Sequence, residues 1–303
     1  MDIVEIRDVT KTFDEHTAVD CLTLSVPKGR IYGFIGPNGS GKTTTIRMIM
    51  GIFYPDRGSI DVFGKSLRGA RSERIGYLPE ERGLYRKMKV RDVLRFYGGL
   101  KAGRSVNKEV DFWLEKLDLM KWADAKVEAL SKGMSQKVQF ISTVVAKPEL
   151  LILDEPFTGL DPVNLDVIRE AILELNAGGT TVIFSTHDMN VAETMCDFIF
   201  MIYKGKKVLD GTLRSIQDSY GHDTLRVNCV GGSEAMENLS GVDRIRDFGK
   251  LQELHITDDA DPQQNVATLM SRTRVRSFEI ARPSLHDIFV RIANPEAEVV
   301  DHA

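Results

Sequence analysis

The sequence predicts an α/β fold followed by a smaller α+β domain, and three observations carry that prediction. A glycine-rich loop, Gly36-Pro37-Asn38-Gly39-Ser40-Gly41-Lys42-Thr43, joins an apolar run at 31–35 to a helical pattern over 44–50. Short runs at 150–153 and 181–184 read as buried parallel strands alternating with helices. Beyond Gly221 the order becomes strand, helix, strand, strand, helix, strand, the pattern of a ferredoxin-like module. At 303 residues the chain exceeds one typical core, so a first domain over 1–220 and a second over 221–303 are expected.

Composition narrows the function classes. With 42% hydrophobic and 28% charged residues the chain has the makeup of a soluble globular protein, which excludes wholesale disorder. A formal charge of −4 gives no reason to expect nucleic acid as a partner. Cys21, Cys196 and Cys229 form no CxxC pair and read as reduced thiols of a cytosolic protein, and the scattered histidines suggest no metal cage. The start alternates charged and apolar residues, unlike a signal peptide, and no run approaches the roughly 18 apolar residues of a membrane span. A membrane role must therefore come through a partner chain.

Taken in order, residues 3–9 and 22–26 alternate like half-buried strands, and Lys28-Gly29 turns into the strand at 31–35. Phe13, in the connecting segment, either stacks on a nucleotide base or packs on the local sheet. The pattern G-x-x-x-x-G-K-[ST] lets glycines aim several N–H groups inward, and the following helix adds the positive end of its dipole, so an anion belongs there. Lys42 can set its ammonium between β- and γ-phosphates while the Thr43 hydroxyl reaches magnesium. Pro55-Asp56-Arg57-Gly58 marks a turn and 59–63 a strand, and Arg74-Ile75-Gly76-Tyr77-Leu78-Pro79 leads into a polar, basic stretch at 80–90. With only Leu84, Tyr85 and Met88 apolar, that stretch is either a solvated loop or a contact surface for a partner.

Residues 90–97 and 106–119 show helical spacing, with Val110, Trp113, Leu114 and Leu117 on one face. Leu130-Ser131-Lys132-Gly133-Met134-Ser135 opens a third helix that stops at Lys147-Pro148; Ser131 and Gly133 either cap it or offer a hydroxyl and N–H groups to an anion. The strand at 150–153 ends in Asp154-Glu155-Pro156. Ligands of open α/β sheets sit at the carboxyl ends of the strands, which places Asp154 to hold magnesium and Glu155 to orient or deprotonate an attacking water. Asp161 and Pro162 suit the cap and first turn of another helix. His187 follows the strand at 181–184 and can donate to a γ-phosphate from there. A hairpin around Lys204-Gly205-Lys206 and a helical stretch at 213–220 close the first domain. The second has strands at 224–230, 242–248, 251–257 and 275–280, helical stretches near 234–239 and 261–271, an amphipathic helix from Pro283, and a frayed acidic tail at 294–303.

With these pieces in order, residues 1–220 resemble the nucleotide-binding subunit of an ATP-binding cassette (ABC) transporter. The resemblance rests on Gly36 to Thr43, Leu130-Ser131-Lys132-Gly133-Met134, the strand ending in Asp154 with Glu155, Gly159-Leu160-Asp161 and His187. It implies a P-loop NTPase of ABC type: a mixed sheet, an antiparallel β subdomain and a helical subdomain over 84–147. It implies that Phe13 stacks on the base and that Gly36, Pro37, Asn38, Gly39, Ser40, Gly41, Lys42, Thr43 and Thr44 bind ATP. Thr43, Asp154 and Glu80 would reach Mg2+, and Glu155 would be the catalytic base, assisted by His187 and Lys42. Ser131, Lys132, Gly133 and Met134 would face the γ-phosphate of a second ATP-binding subunit, a homodimer or a paralogue, with Asp161 in the dimer loop.

Two departures stand out. Glu80 occupies the place of a usual glutamine, and a carboxylate cannot donate as an amide does. Leu-Ser-Lys-Gly-Met replaces the commoner Leu-Ser-Gly-Gly-Gln, adding a charge at Lys132 and removing an amide at Met134. The stretches Leu78-Pro79-Glu80-Glu81-Arg82-Gly83-Leu84-Tyr85 and Pro283-Ser284-Leu285-His286-Asp287-Ile288-Phe289 are similar to the sodium-extrusion and daunorubicin-resistance exporter branch, which implies export. The expected protein is an ATP-hydrolysing motor, cytoplasmic and peripheral on the inner face of the cell membrane, whose MgATP-driven dimer closure powers separate integral membrane permease subunits. The independent C-terminal pattern suggests a role in dimer contact or regulation. A soluble mechanoenzyme of the same superfamily and a non-hydrolysing nucleotide sensor are the other classes; co-isolation with a membrane protein separates the first, and the paired carboxylates speak against the second.

Overall fold

Alternating burial builds the first sheet. β1 (Asp2–Phe13) buries Val4, Ile6 and Val9 and turns Arg7 and Asp8 outward. Ile6 and Val9 both face inward, although three residues apart, because a bulge with Asp8 at φ 48° shifts the register against the next strand. Phe13 is therefore the last residue of a strand and not part of a connecting segment. The computed structural model describes residues 2–66, 73–81, 83–220, 224–247, 249, 251–257 and 261–293, so the predicted tail at 294–303 and Phe248 lie outside the described residues.

β2 (His16–Pro27) pairs antiparallel with β1 and is followed by β3 (Ile31–Ile35), the glycine-rich loop and α1 (Lys42–Ile49). β4 (Arg57–Val62) and β5 (Lys65–Ser66) complete a four-stranded antiparallel sheet in the order β2-β1-β4-β5. The chain then runs through β6 (Ile75–Leu78), α2 (Val90–Ala102), α3 (Asn107–Lys116), α4 (Lys132–Val144), β7 (Leu150–Asp154), α5 (Pro162–Ala177), β8 (Thr181–Thr186), α6 (Met189–Met195), β9 (Phe198–Tyr203) and β10 (Lys206–Gly211). Six of these strands form a second sheet, β10-β9-β3-β8-β7-β6, parallel except for β10 at its edge.

Strand parity explains why the parallel strands are apolar throughout. Leu150 and Ile152 join a core shared with β1, β2, β4 and α1, whereas Leu151 and Leu153 join the core beneath α2, α3, α4 and α5. Both faces are covered, so neither can be polar. Leu151 is fully buried, and Leu151→Ala is expected to cost about 2–5 kcal/mol through lost contacts and the cavity left behind. Denaturant unfolding of the variant checks this; an unmoved midpoint would contradict the two-sided packing.

The helical part over 84–147 centres on Val93, Leu94, Val110, Trp113, Leu114 and Phe140, all buried. The helix predicted over 106–119 stops at Lys116 because Asp118 takes φ 54°. Its N–H donates to Glu115 O at 3.1 Å and that of Leu119 to Leu114 O at 2.7 Å, a left-handed C-terminal cap that a sequence rule keyed to glycine misses. Among the described residues no helix is long and apolar enough to cross a membrane.

Contacts divide the chain into units 1–212 and 213–303. The helix that the sequence pattern puts at the end of the first domain, α7 (Leu213–Ser219), belongs to the second. Gln217 donates to Pro283 O at 3.0 Å and Asp218 pairs with Arg282 at 3.1 Å, which ties α7 to that unit. The rest comprises β11 (Thr224–Cys229), a 3-10 turn at Gly232–Met236, β12 (Val242–Asp247), β13 (Gln252–Ile256), α8 (Pro262–Arg272), β14 (Val275–Ala281) and α9 (Leu285–Ala293). Its antiparallel order, β12-β13-β11-β14, is that of a ferredoxin-like sheet with the first helix shortened to the 3-10 turn. Leu225, Val227, Leu254, Val266 and Leu269 form its core. Ser284 and Asp287 cap α9 reciprocally, each side chain accepting from the other's backbone N–H.

Candidate active site

The loop between β3 and α1 requires glycine at two points. Gly36 has φ 152°, and a Cβ there would sit 2.2 Å from Ile202 O; Gly41 has φ 113°, and its Cβ would meet Ala18 O at 2.5 Å. Among the described residues no side chain caps α1, so its first N–H groups are open to a ligand. Pro37, Asn38 and Gly39 form the loop's more open tip, and Thr44 lies in the first turn of α1. Among the described residues Ser40 Oγ is buried without a hydrogen-bond partner, a cost that a ligand accepting or donating there would relieve.

Lys42 crosses this cradle with 6% of its surface exposed. Its ammonium donates to Gly36 O at 2.6 Å and Pro37 O at 3.1 Å. Burial pushes its pKa down, against the opposing pull of the Glu155, Asp154 and Glu80 carboxylates. Those three carboxyl groups thus converge on the lysine from β7 and from the segment after β6.

At the end of β7, Asp154 is buried and accepts on Oδ1 from Ser185 Oγ at 2.5 Å and Thr43 Oγ1 at 3.3 Å. Glu155 takes φ 50°, a conformation that costs a non-glycine residue on the order of 1–3 kcal/mol and is held by its surroundings. Its N–H is shared between Ser185 O at 3.2 Å and Ser185 Oγ at 3.1 Å. Its carboxylate lies 3.0 Å from His187 Nδ1 and accepts from Thr158 Oγ1 at 3.2 Å. The Glu155 side chain is 9% exposed against 54% for His187, so a nearly buried carboxylate lies beside a more open imidazole. Glu80, exposed, lines with Asp154, Glu155 and Gln136 a cavity of about 20 Å³, enough for one water.

Phe13 is 38% exposed and meets Phe53 edge-on at 5.3 Å. Part of the ring packs on Phe53, in the segment after α1, while the exposed rest is available for stacking.

The remaining predicted residues gather elsewhere in the same unit. Ser131 caps α4, its Oγ accepting from Met134 N at 3.3 Å. A Cβ on Gly133 would lie 2.9 Å from Asn164 Nδ2, and one on Gly159 would lie 2.7 Å from Lys132 Nζ. Asp161 caps α5 by accepting from Asn164 N at 3.0 Å. The structure therefore brings together Gly36 to Thr43, Asp154, Glu155 and His187 as one group and Ser131 to Met134 with Gly159 and Asp161 as another. Thr158 and Gln136 were not singled out by sequence. Gln136 donates to Thr158 O at 3.0 Å, so the two tie the second group to Glu155; the only sequence signal was Thr158 standing one turn after Glu155.

The donor set suits a hard cation. Thr43 and Asp154 offer a hydroxyl and a carboxylate, oxygen ligands of the kind magnesium takes alongside waters and substrate phosphates. Among the described residues no three His, Cys, Asp or Glu side chains form a metal cage.

Comparison with known proteins bears on this arrangement. Residues 19–158 match the ABC transporter family, and residues 211–293 match the family described as ATP-binding protein DrrA1-3-like, C-terminal domain. An uncharacterized ABC transporter ATP-binding protein of Bacillus subtilis (strain 168) is 42% identical over 290 residues, 95% of this chain and 97% of its own. The Nod factor export ATP-binding protein I of Ralstonia nicotianae (strain ATCC BAA-1114 / GMI1000) is 33% identical over 97% of this chain and 94% of its own. A solved ATP binding subunit of an ABC transporter superposes with a TM-score of 0.68 at 30% identity, over 72% of this chain and 93% of its own.

Proposed function

Because the chain belongs to the ATP-binding proteins of ABC transporters, we propose that it hydrolyses ATP to drive export through separate membrane-spanning subunits. The observation that carries this reading is the convergence of Lys42, Thr43, Asp154, Glu155 and His187 at the carboxyl ends of β3, β7 and β8, beside a Ser40 hydroxyl that has no partner among the described residues. Export is supported by the relatives named for Nod factor export.

In this mechanism the loop N–H groups and the Lys42 ammonium bind the phosphates, and Phe13 stacks on the base. Magnesium would be held by Thr43 and Asp154 and would supply charge neutralisation to the phosphates. Glu155 accepts a proton from the attacking water, with its carboxylate oriented by Thr158 and His187. His187, just after β8, would donate to the γ-phosphate. Ser131 to Met134 lie in a separate group, and each would complete the site of a second subunit; ATP binding then closes two chains on each other and hydrolysis releases them.

A groove of about 580 Å³ lined by Tyr77, Leu84, Tyr97 and Leu100 adjoins the stretch 80–88. Tyr85 stacks on Tyr97 with centroids 5.9 Å apart and is 55% exposed. This surface is where the membrane subunit would dock; Arg82, within the stretch, lies outside the described residues. Affinity isolation from native membranes is expected to recover a polytopic membrane protein together with Mg2+-dependent ATPase activity. Recovery of a purely soluble complex would sink the transport reading, and an intact complex without ATPase activity would favour a nucleotide sensor.

A further inference from the structure

Ser185 links the Asp154 carboxylate to the Glu155 backbone without belonging to the phosphate cradle or to the acid–base pair. Strand register places it directly beside Asp154 across β7 and β8, and it is fully buried. Its single proton is donated to Asp154 Oδ1 at 2.5 Å, which turns its lone pairs toward the Glu155 N–H at 3.1 Å. From this geometry we propose that Ser185 is a positioning residue that locks the magnesium-binding carboxylate and the hydrolytic glutamate into one unit. The proposal rests on the ATPase reading above and deepens it.

Both hydroxyl donors, Ser185 and Thr43, fall on Asp154 Oδ1, and among the described residues Oδ2 makes no hydrogen bond. One oxygen is thereby anchored and the other kept free for the cation or one of its waters. On the other side, Glu155 holds φ 50°, and its N–H is shared between the carbonyl and the hydroxyl of Ser185. Loss of the hydroxyl leaves the carbonyl bond at 3.2 Å, so the turn persists but loses the contact that relays the position of Asp154 to Glu155. A group that orients a metal ligand in this way typically changes metal affinity or activity by about 10- to 100-fold when removed.

The test compares wild type with Ser185→Ala and Ser185→Thr. Each is titrated with a fluorescent ATP analogue in EDTA and again across a range of Mg2+ concentrations, and the ATPase rate is measured over the same range. Ser185→Ala should bind the analogue normally in EDTA, need about 10- to 100-fold more Mg2+ for half-maximal effect and show a lower kcat. Ser185→Thr, which keeps the hydroxyl, should recover both. If the added methyl lowers its melting temperature, Ser185→Cys takes its place, and its weak donor should give values between Ser and Ala. An unshifted Mg2+ midpoint and kcat in Ser185→Ala overturn the proposal, as does an equal loss in the hydroxyl-retaining variant. A wild-type protein that binds no nucleotide overturns the ATPase reading itself, an outcome distinct from normal binding with an unshifted alanine variant.

Discussion

Glu155→Gln should slow ATP turnover by about 10²-fold or more while leaving nucleotide affinity unchanged. The substitution keeps the shape and the contact with Thr158 but removes the group that can take a proton. Its position makes the effect specific: the carboxylate is nearly buried, aimed by bonds to both oxygens, and set on a backbone turn of unfavourable φ that other contacts maintain. The Glu155 charge acts on Lys42 only from a distance, whereas the ammonium is held directly by the Gly36 and Pro37 carbonyls. Binding therefore survives and hydrolysis does not, so MgATP should trap a closed pair of chains. Steady-state ATPase assays with size-exclusion chromatography in MgATP check both halves. Near-normal turnover would remove Glu155 from the role of general base, and slow turnover without a larger species would leave the base in place but contradict dimer closure.

The parts legible in the sequence were those where local chemistry dictates the outcome. Gly36, Gly41 and Lys42 are spaced by what the backbone must do around an anion, and Leu150 to Leu153 is apolar because both faces of the sheet are covered. What escaped was set by contacts distant in sequence. Ser185 directly follows the apolar run at 181–184 and carries no local mark of its role; only the β7–β8 register turns it into the bridge between Asp154 and Glu155. Likewise α7 has an ordinary helical pattern, and nothing local says that Gln217 and Asp218 bond to Pro283 and Arg282 and so place it in the second unit. Asp118 ended α3 by adopting a left-handed conformation that its type tolerates but does not announce. For Ser131, composition allowed a helix cap or an anion contact, and the single chain displays the cap.

Lys42→Ala should weaken ATP binding by about 10- to 100-fold, since a hydrogen bond to a charged group contributes about 1.5–3 kcal/mol and each 1.4 kcal/mol is a factor of ten. The folded protein should respond in the opposite sense or not at all. Burial lowers the pKa of Lys42, which means that its charged form is disfavoured where it stands. The nearby Asp154, Glu155 and Glu80 carboxylates and the two loop carbonyls only partly offset that cost. Alanine removes the buried charge, so the melting temperature without nucleotide should hold or rise while affinity falls. A residue whose function is structural would show the reverse, a lower melting temperature with affinity lost only in proportion. Calorimetric titration with ATP in EDTA isolates the lysine from the cation, because Thr43 and Asp154 contribute through magnesium and Lys42 does not. Unchanged affinity under those conditions would mean that the ammonium stays on the Gly36 and Pro37 carbonyls when the phosphates arrive, and that the N–H groups of the loop and α1 carry the binding alone.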